Sequence, residues 1–192
     1  MLKTRIAIFA SGSGSNAENF FKYFQSSKDI EISLVLTNNP KAYVLERAKN
    51  HNVERGVFSK NELNNTDTVI SFLKKKQIDV IVLAGFLLLI PKKMIDAFPE
   101  RIINIHPALL PKYGGKGMYG LNVHEAVKSN KETESGITIH LVNQIYDDGK
   151  ILFQKSTAVS PIDTPEDIAN KIHQLEYQYF PSVVEEYIQK VS

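Results

Sequence analysis

Ile6-Ala7-Ile8-Phe9-Ala10-Ser11-Gly12-Ser13-Gly14-Ser15-Asn16-Ala17 is the stretch that decides the fold. Five apolar residues in succession, Ile6 to Ala10, read as a strand covered on both faces, as in a parallel sheet. Serine and glycine end the run. Ala17, Phe20, Phe21 and Phe24 then recur at helical spacing through roughly residues 16 to 26, and a second apolar run, Ile32-Ser33-Leu34-Val35-Leu36, follows. Strand, glycine turn, helix and strand make a βαβ unit, the opening of a doubly wound α/β sheet.

Outward from this unit the alternation continues with a short strand near Val53 to Phe58, a helix over 60 to 76 and a strand at Asp79 to Ala84. The longest apolar run, Val80 to Ile90, ends at Pro91-Lys92-Lys93; it is too short for a membrane span and reads as a buried strand and its exit. A short helix near 92 to 97, a strand at Ile102 to Ile105 and a Pro- and Gly-rich loop from Pro107 to Gly120 come next. Gly136 to Val142 and Lys150 to Val159 read as adjacent strands joined through Tyr146-Asp147-Asp148-Gly149. A closing helix begins at Thr164-Pro165-Glu166-Asp167, where a capping hydroxyl, a first-position proline and first-turn acids agree; Pro181 is expected to kink or split it. The expected fold is a single α/β domain over 1–192, with a mostly parallel sheet, a late antiparallel strand and a long C-terminal helix.

Composition bounds the chemistry. A chain of 192 residues, 43% hydrophobic, buries one sizeable core, and its 23 basic and 21 acidic residues nearly balance. No polyelectrolyte surface for nucleic acid or anionic membrane follows from that balance; small anionic ligands fit it. Without cysteine there is no disulfide, thiolate nucleophile or zinc-thiolate site. Five apolar residues near the N-terminus are too few for a secretory core, so the cytoplasm is the expected compartment.

Gly12 to Ala17 closes a strand and opens a helix, where free N–H groups and the helix dipole favour an anion. Hydroxyls of Ser11, Ser13 and Ser15 and the amide of Asn16 add neutral donors. The plain alternative is a tight turn with an N-cap. The stretch also fits the G-x-G-x-x-A dinucleotide fingerprint, but that site wants an acid at the end of the second strand. Here that strand ends Leu36-Thr37-Asn38-Asn39-Pro40, and no G-x-x-x-x-G-K-[ST] string occurs, so a monophosphate is the better fit.

Asn104 and His106 stand two apart at a strand end and point to one side. A side-chain amide can donate to a carbonyl oxygen as charge develops, and an imidazole can move a proton, a pairing suited to acyl transfer. Asp147 or Asp148 can orient the imidazole, and residue chemistry does not choose between them; a bare hairpin turn explains both equally. His140 with Asp147 invites a metal, but the five histidines are scattered without H-x-x-x-H or H-E-x-x-H, and no metal is expected. Glu176 lies one turn beyond His173, sharing a helix face, where a carboxylate binds an amine or simply faces solvent.

Ser11 to Asn16, Leu83-Ala84-Gly85-Phe86, Asn104-Ile105-His106-Pro107-Ala108-Leu109-Leu110-Pro111-Lys112-Tyr113 and His140 followed by Asp147 and Gly149 occur in that order over almost the whole chain. In this the sequence resembles the glycinamide ribonucleotide transformylases, folate-dependent enzymes of purine synthesis with a Rossmann-like fold. The resemblance implies formyl transfer from 10-formyltetrahydrofolate to a ribonucleotide amine, with Asn104, His106 and Asp147 catalytic, and it selects Asp147 over Asp148. It implies a phosphate site at Ser13, Gly14, Ser15 and Asn16 in a half reaching to about residue 100, and an amine site at Glu176 and His173. Phe86, Leu87, Leu88, Leu89, Ile90, Asn104, Val142 and Asp147 would hold the folate, largely through backbone groups. Leu87-Leu88-Leu89 departs from the Met-Arg-Ile of some members, so an arginine contact is not available there. The implied partners are small molecules, in a monomer or homodimer. Other formyl-folate enzymes, a hydrolase or a sugar-amine formyltransferase, and a dinucleotide-binding protein are the competing readings.

Overall fold

The structure is a computed structural model that describes residues 3–191. The chain divides into two compact units, one ending at Ile103 and one beginning at Asn104.

The first unit opens with β1 (Thr4–Phe9), α1 (Ser15–Phe24) and β2 (Ile30–Thr37), followed by α2 (Val44–Asn50) and β3 (Glu54–Val57). It continues through α3 (Lys60–Asn65), α4 (Thr68–Lys75), β4 (Val80–Leu83) and α5 (Lys92–Ala97). Ile6, Ile8 and Phe9 are wholly buried, as a strand covered on both faces requires. β1 pairs in parallel with β2 and with β4, and β2 pairs in parallel with β3. Ala17, Phe20, Phe21 and Phe24 are the buried stripe of α1.

One expected helix over 60 to 76 is two. The Thr66 hydroxyl donates back to the Glu62 carbonyl (3.0 Å) and accepts the Thr68 N–H (3.3 Å), so side-chain bonds replace the helical ladder at Thr66-Asp67. A Ser59/Glu62 capping box starts α3. Helix α2 has no counterpart in the sequence reading, because only Val44 and Ala48 of its seven residues are buried and so short a stripe carries no period.

β5 (Ile102–His106) runs across the unit boundary. The second unit holds α6 (Leu121–Ser129), β6 (Glu134–Leu141), β7 (Ile151–Ala158) and α7 (Pro165–Val191). β6 and β7 are antiparallel, and the hydrogen-bonded order of the seven strands is β3-β2-β1-β4-β5-β6-β7. The mostly parallel sheet with one late antiparallel pair is therefore present. Helix α6 also escaped the sequence reading: its buried face is only Val123, His124 and Val127, two valines and a histidine that make no apolar stripe. Thr164 and Asp167 cap α7 reciprocally, and the helix runs unbroken through Pro181 for 27 residues. The expected split is absent: Phe180, Val183, Val184 and Ile188 are all buried around the proline, and their packing outweighs one lost backbone bond. Among the described residues no helix is long and apolar enough to cross a membrane.

Candidate active site

In the first unit, the turn after β1 is shaped by what surrounds it. Gly14 caps α1 in the left-handed conformation (φ 71°), and a Cβ there would lie 2.6 Å from Val44 Cβ and 2.9 Å from Val44 Cα. Only glycine satisfies both constraints. The Ser11 hydroxyl donates to Asn38 Oδ1 (2.6 Å) and accepts the Leu87 N–H (3.1 Å), so it ties strand ends together and is not a spare donor for an anion. Asn39 Nδ2 donates to the Ser11 carbonyl (3.3 Å). The two asparagines that stand where a dinucleotide site needs an acid thus serve the loop itself. Gly12 and Ser13 are exposed, Ser15 is half-buried and Asn16 is buried.

Of the residues read as folate-facing in this unit, Phe86 packs edge-on against Phe9 (5.4 Å between centroids). Leu87 and Leu89 are exposed, Leu88 is half-buried and Ile90 is buried.

The second unit carries Asn104, His106, His140 and Asp147 as one cluster. β5 supplies the first two, and β6 places His140 just before its end. Asp147 returns through the β6–β7 turn in a left-handed conformation (φ 54°). Gly149 makes that return possible, because a Cβ there would overlap the Leu141 carbonyl. His106 and His140 are 3% and 2% exposed. His106 Nε2 lies 2.7 Å from the Tyr113 carbonyl oxygen and its Nδ1 lies 3.5 Å from Asp147 Oδ2. A carbonyl oxygen only accepts, so Nε2 carries a proton. His140 Nδ1 lies 2.9 Å from the Leu141 carbonyl, which places its proton on Nδ1; Nε2 then accepts the Asn104 amide N–H at 3.0 Å. Asp147 Oδ2 accepts the Gly115 N–H (2.9 Å), and Oδ1 stands 3.7 Å from His140 Nε2.

The electrostatics pull in opposite directions. Burial lowers the His106 pKa, Asp147 and the Tyr113 carbonyl raise it, and the balance falls below the ordinary histidine value. Burial raises the Asp147 pKa, but His140, His106 and the Gly115 N–H outweigh it and hold the carboxyl below the ordinary aspartate value. Asp147 is therefore an anion at neutral pH, next to an imidazole of adjustable charge. Asp148 is exposed and its Oδ2 accepts from Asn143 Nδ2 at 3.3 Å.

Elsewhere in this unit Val142 is half-buried and Glu176 is only 6% exposed, so the acid does not lie on a solvated face. His173 does not share that burial: it is exposed and stacks on Tyr177 with centroids 6.2 Å apart. His140 entered the sequence reading only as part of a motif and as a rejected metal ligand; its hold on Asn104 appears only when β5 and β6 are both in place. Arg47, which the sequence reading passed over, donates from Nε to the Ser13 carbonyl (2.9 Å) inside the first unit. Among the described residues no group of three or more His, Cys, Asp or Glu is arranged to hold a metal ion.

An amide, an imidazole and a carboxylate gathered at a strand end of an α/β sheet are groups that can polarise a carbonyl and move a proton, the chemistry acyl transfer requires. More particularly, the chain belongs to the formyl transferase family, whose profile matches residues 4–184. It is 39% identical over 191 residues to the chloroplastic phosphoribosylglycinamide formyltransferase of Arabidopsis thaliana, covering 95% of this chain and 64% of that one. It is 33% identical to the phosphoribosylglycinamide formyltransferase of Bacillus subtilis, covering 95% and 93%. The crystal structure of the same-named protein from Bacillus halodurans matches with a TM-score of 0.87 at 33% identity, over 98% of this chain and 97% of that one. The chain spans 64% and 60% of the lengths of two plant relatives, from Arabidopsis thaliana and Vigna unguiculata.

Proposed function

We propose that this protein transfers the formyl group of 10-formyltetrahydrofolate to the primary amine of glycinamide ribonucleotide, a step of purine synthesis. The observation that carries the reading is the Asn104–His106–His140–Asp147 cluster. The amine lone pair attacks the formyl carbon and a C–N bond forms while the carbonyl π electrons move to oxygen. The tetrahedral intermediate collapses with cleavage of the bond to the folate nitrogen, which takes up the proton that the amine gives up. No covalent enzyme intermediate is required. Asn104 has a second amide N–H for the developing oxyanion. His106 reaches that oxygen through Nε2 once the Tyr113 carbonyl gives way, and Asp147 stabilises the ring as it gains charge. Ser13, Gly14, Ser15 and Asn16 bind the ribonucleotide phosphate, and buried Glu176 receives the amine; exposed His173 plays at most a peripheral part. The segment from Phe86 to Ile90 and Val142 contribute backbone groups to the folate.

The names of the relatives support the same substrates. A chain without cysteine suits the reducing cytosol, and balanced charge suits small-molecule partners. The test is an assay with purified protein and both substrates, followed for tetrahydrofolate release. One tetrahydrofolate formed per formylated ribonucleotide is the expected result. Consumption of formyl-folate without an amine acceptor would instead make the protein a hydrolase, and a thermal shift with NAD(P) but not with the ribonucleotide would make it a dinucleotide-binding protein.

A further inference from the structure

The anion-binding turn lacks a lysine, yet one cation is fixed against its outer side. Arg47, in the last turn of α2, donates from Nε to the Ser13 carbonyl (2.9 Å) and from Nη1 to Glu18 Oε2 (3.3 Å). Its guanidinium lies over the Tyr43 ring, 5.1 Å from the centroid. Glu18 is held in turn by His51 Nε2 (2.9 Å) and Lys22 Nζ (3.3 Å). Nearby, the Val44 N–H donates to the Gly12 carbonyl (3.2 Å).

These contacts determine which way the loop's amides point. A trans peptide is planar, with its N–H opposite its C=O. Because the Gly12 carbonyl turns to Val44, the Ser13 N–H turns away from α2. Because the Ser13 carbonyl turns to Arg47, the Gly14 N–H likewise turns away from α2. The Gly14 carbonyl accepts the Glu18 N–H (2.9 Å) down the axis of α1, which aims the Ser15 N–H out of the helix end. Three successive amides are thereby presented together, and left-handed Gly14 gives them the curvature of an anion nest. The guanidinium also polarises the Ser13–Gly14 peptide, making its N–H a stronger donor.

We propose that Arg47 is the positioning residue of the phosphate site: it sets the Ser13–Gly14 peptide for the ribonucleotide phosphate without touching that phosphate. This rests on the reading that residues 13–16 bind the phosphate, and the experiment separates the two. The two substrates are varied independently for the full chain and for Arg47→Gln, Arg47→Lys and Gly12→Asp, with inorganic phosphate as a competitor. Both Arg47 variants are expected to raise the ribonucleotide KM about tenfold or more, the size of one lost charge-assisted hydrogen bond, and to weaken phosphate inhibition in parallel. The kcat and the formyl-folate KM should stay within about twofold. Lysine should not rescue, because a point charge lacks the fork that spans Ser13 and Glu18. An unchanged ribonucleotide KM, full rescue by lysine, or a joint change in kcat and both KM values would overturn the proposal. Gly12 has open space around a Cβ, so Gly12→Asp places a negative charge at the turn without a clash. If it raises the ribonucleotide KM while the Arg47 variants do not, only the role of Arg47 fails. If it leaves that KM unchanged, the phosphate reading itself fails.

Discussion

His106 turns Nδ1 to Asp147 Oδ2 at 3.5 Å while its Nε2 donates to the Tyr113 carbonyl. Both ring nitrogens face acceptors, an arrangement complementary to the imidazolium, and burial opposes that charge. Asp147 is thus what keeps protonation of the buried ring within reach.

Asp147→Asn removes the largest influence raising the His106 pKa, so the ring's titration midpoint should move down, and kcat should fall roughly 10²-fold with it. Histidine C2–H shifts followed by NMR against pH read the first and steady-state kinetics the second. Asp148→Asn, at an exposed position, should leave both near wild type. A midpoint that rises or stays put in Asp147→Asn would remove Asp147 from its role.

His140 fixes the Asn104 amide by accepting one of its N–H groups. His140→Phe keeps a ring on β6 and removes the acceptor, so Asn104 becomes free to rotate. The expected consequence is a loss of kcat approaching the roughly 10²-fold or greater loss for Asn104→Ala, with the ribonucleotide KM little changed. The double variant should be no worse than Asn104→Ala alone, since the two residues act through one amide; full additivity would show that His140 acts elsewhere.

His124 on α6 is 3% exposed, and burial is the first cause that pushes its pKa down to about 4. Its Nδ1 has no hydrogen-bond partner. An unfolded chain takes up this proton near the ordinary value of about 6.5, so the unfolded state binds more protons between the two values. Stability should therefore fall as pH drops from about 6.5 to about 4, by up to about 3 kcal/mol from this group. Urea denaturation across that range should show a shallower pH dependence for His124→Leu than for wild type. Equal slopes would mean that His124 is protonated in the folded protein as readily as in the unfolded chain.

Gly14→Ala forces a side chain into a left-handed residue and against Val44. A loss of about 1–3 kcal/mol is expected, whereas Gly12→Ala, which meets nothing within 4 Å, should stay within about 0.5 kcal/mol. Thermal denaturation of the pair decides it. Equal stability of the two variants would show that the turn relaxes around the new Cβ.

The sequence by itself determined the parallel β1–α1–β2 unit, because a continuous apolar run, a glycine turn and a phenylalanine stripe are local signals that need no partner. It also determined the capped start of α7 and the pairing of Asn104 with His106, since period two along a strand fixes their common side. Resemblance selected Asp147 over Asp148; in the fold Asp147 is half-buried beside His106 and His140, and Asp148 is exposed. Only tertiary structure decided that Ser11 is spent on Asn38, that Glu176 is buried while His173 is not, and that Arg47 faces the glycine turn. Each of these depends on residues from other elements, on long-range contacts that set burial and hydrogen-bond partners, and no periodicity along the chain records such contacts.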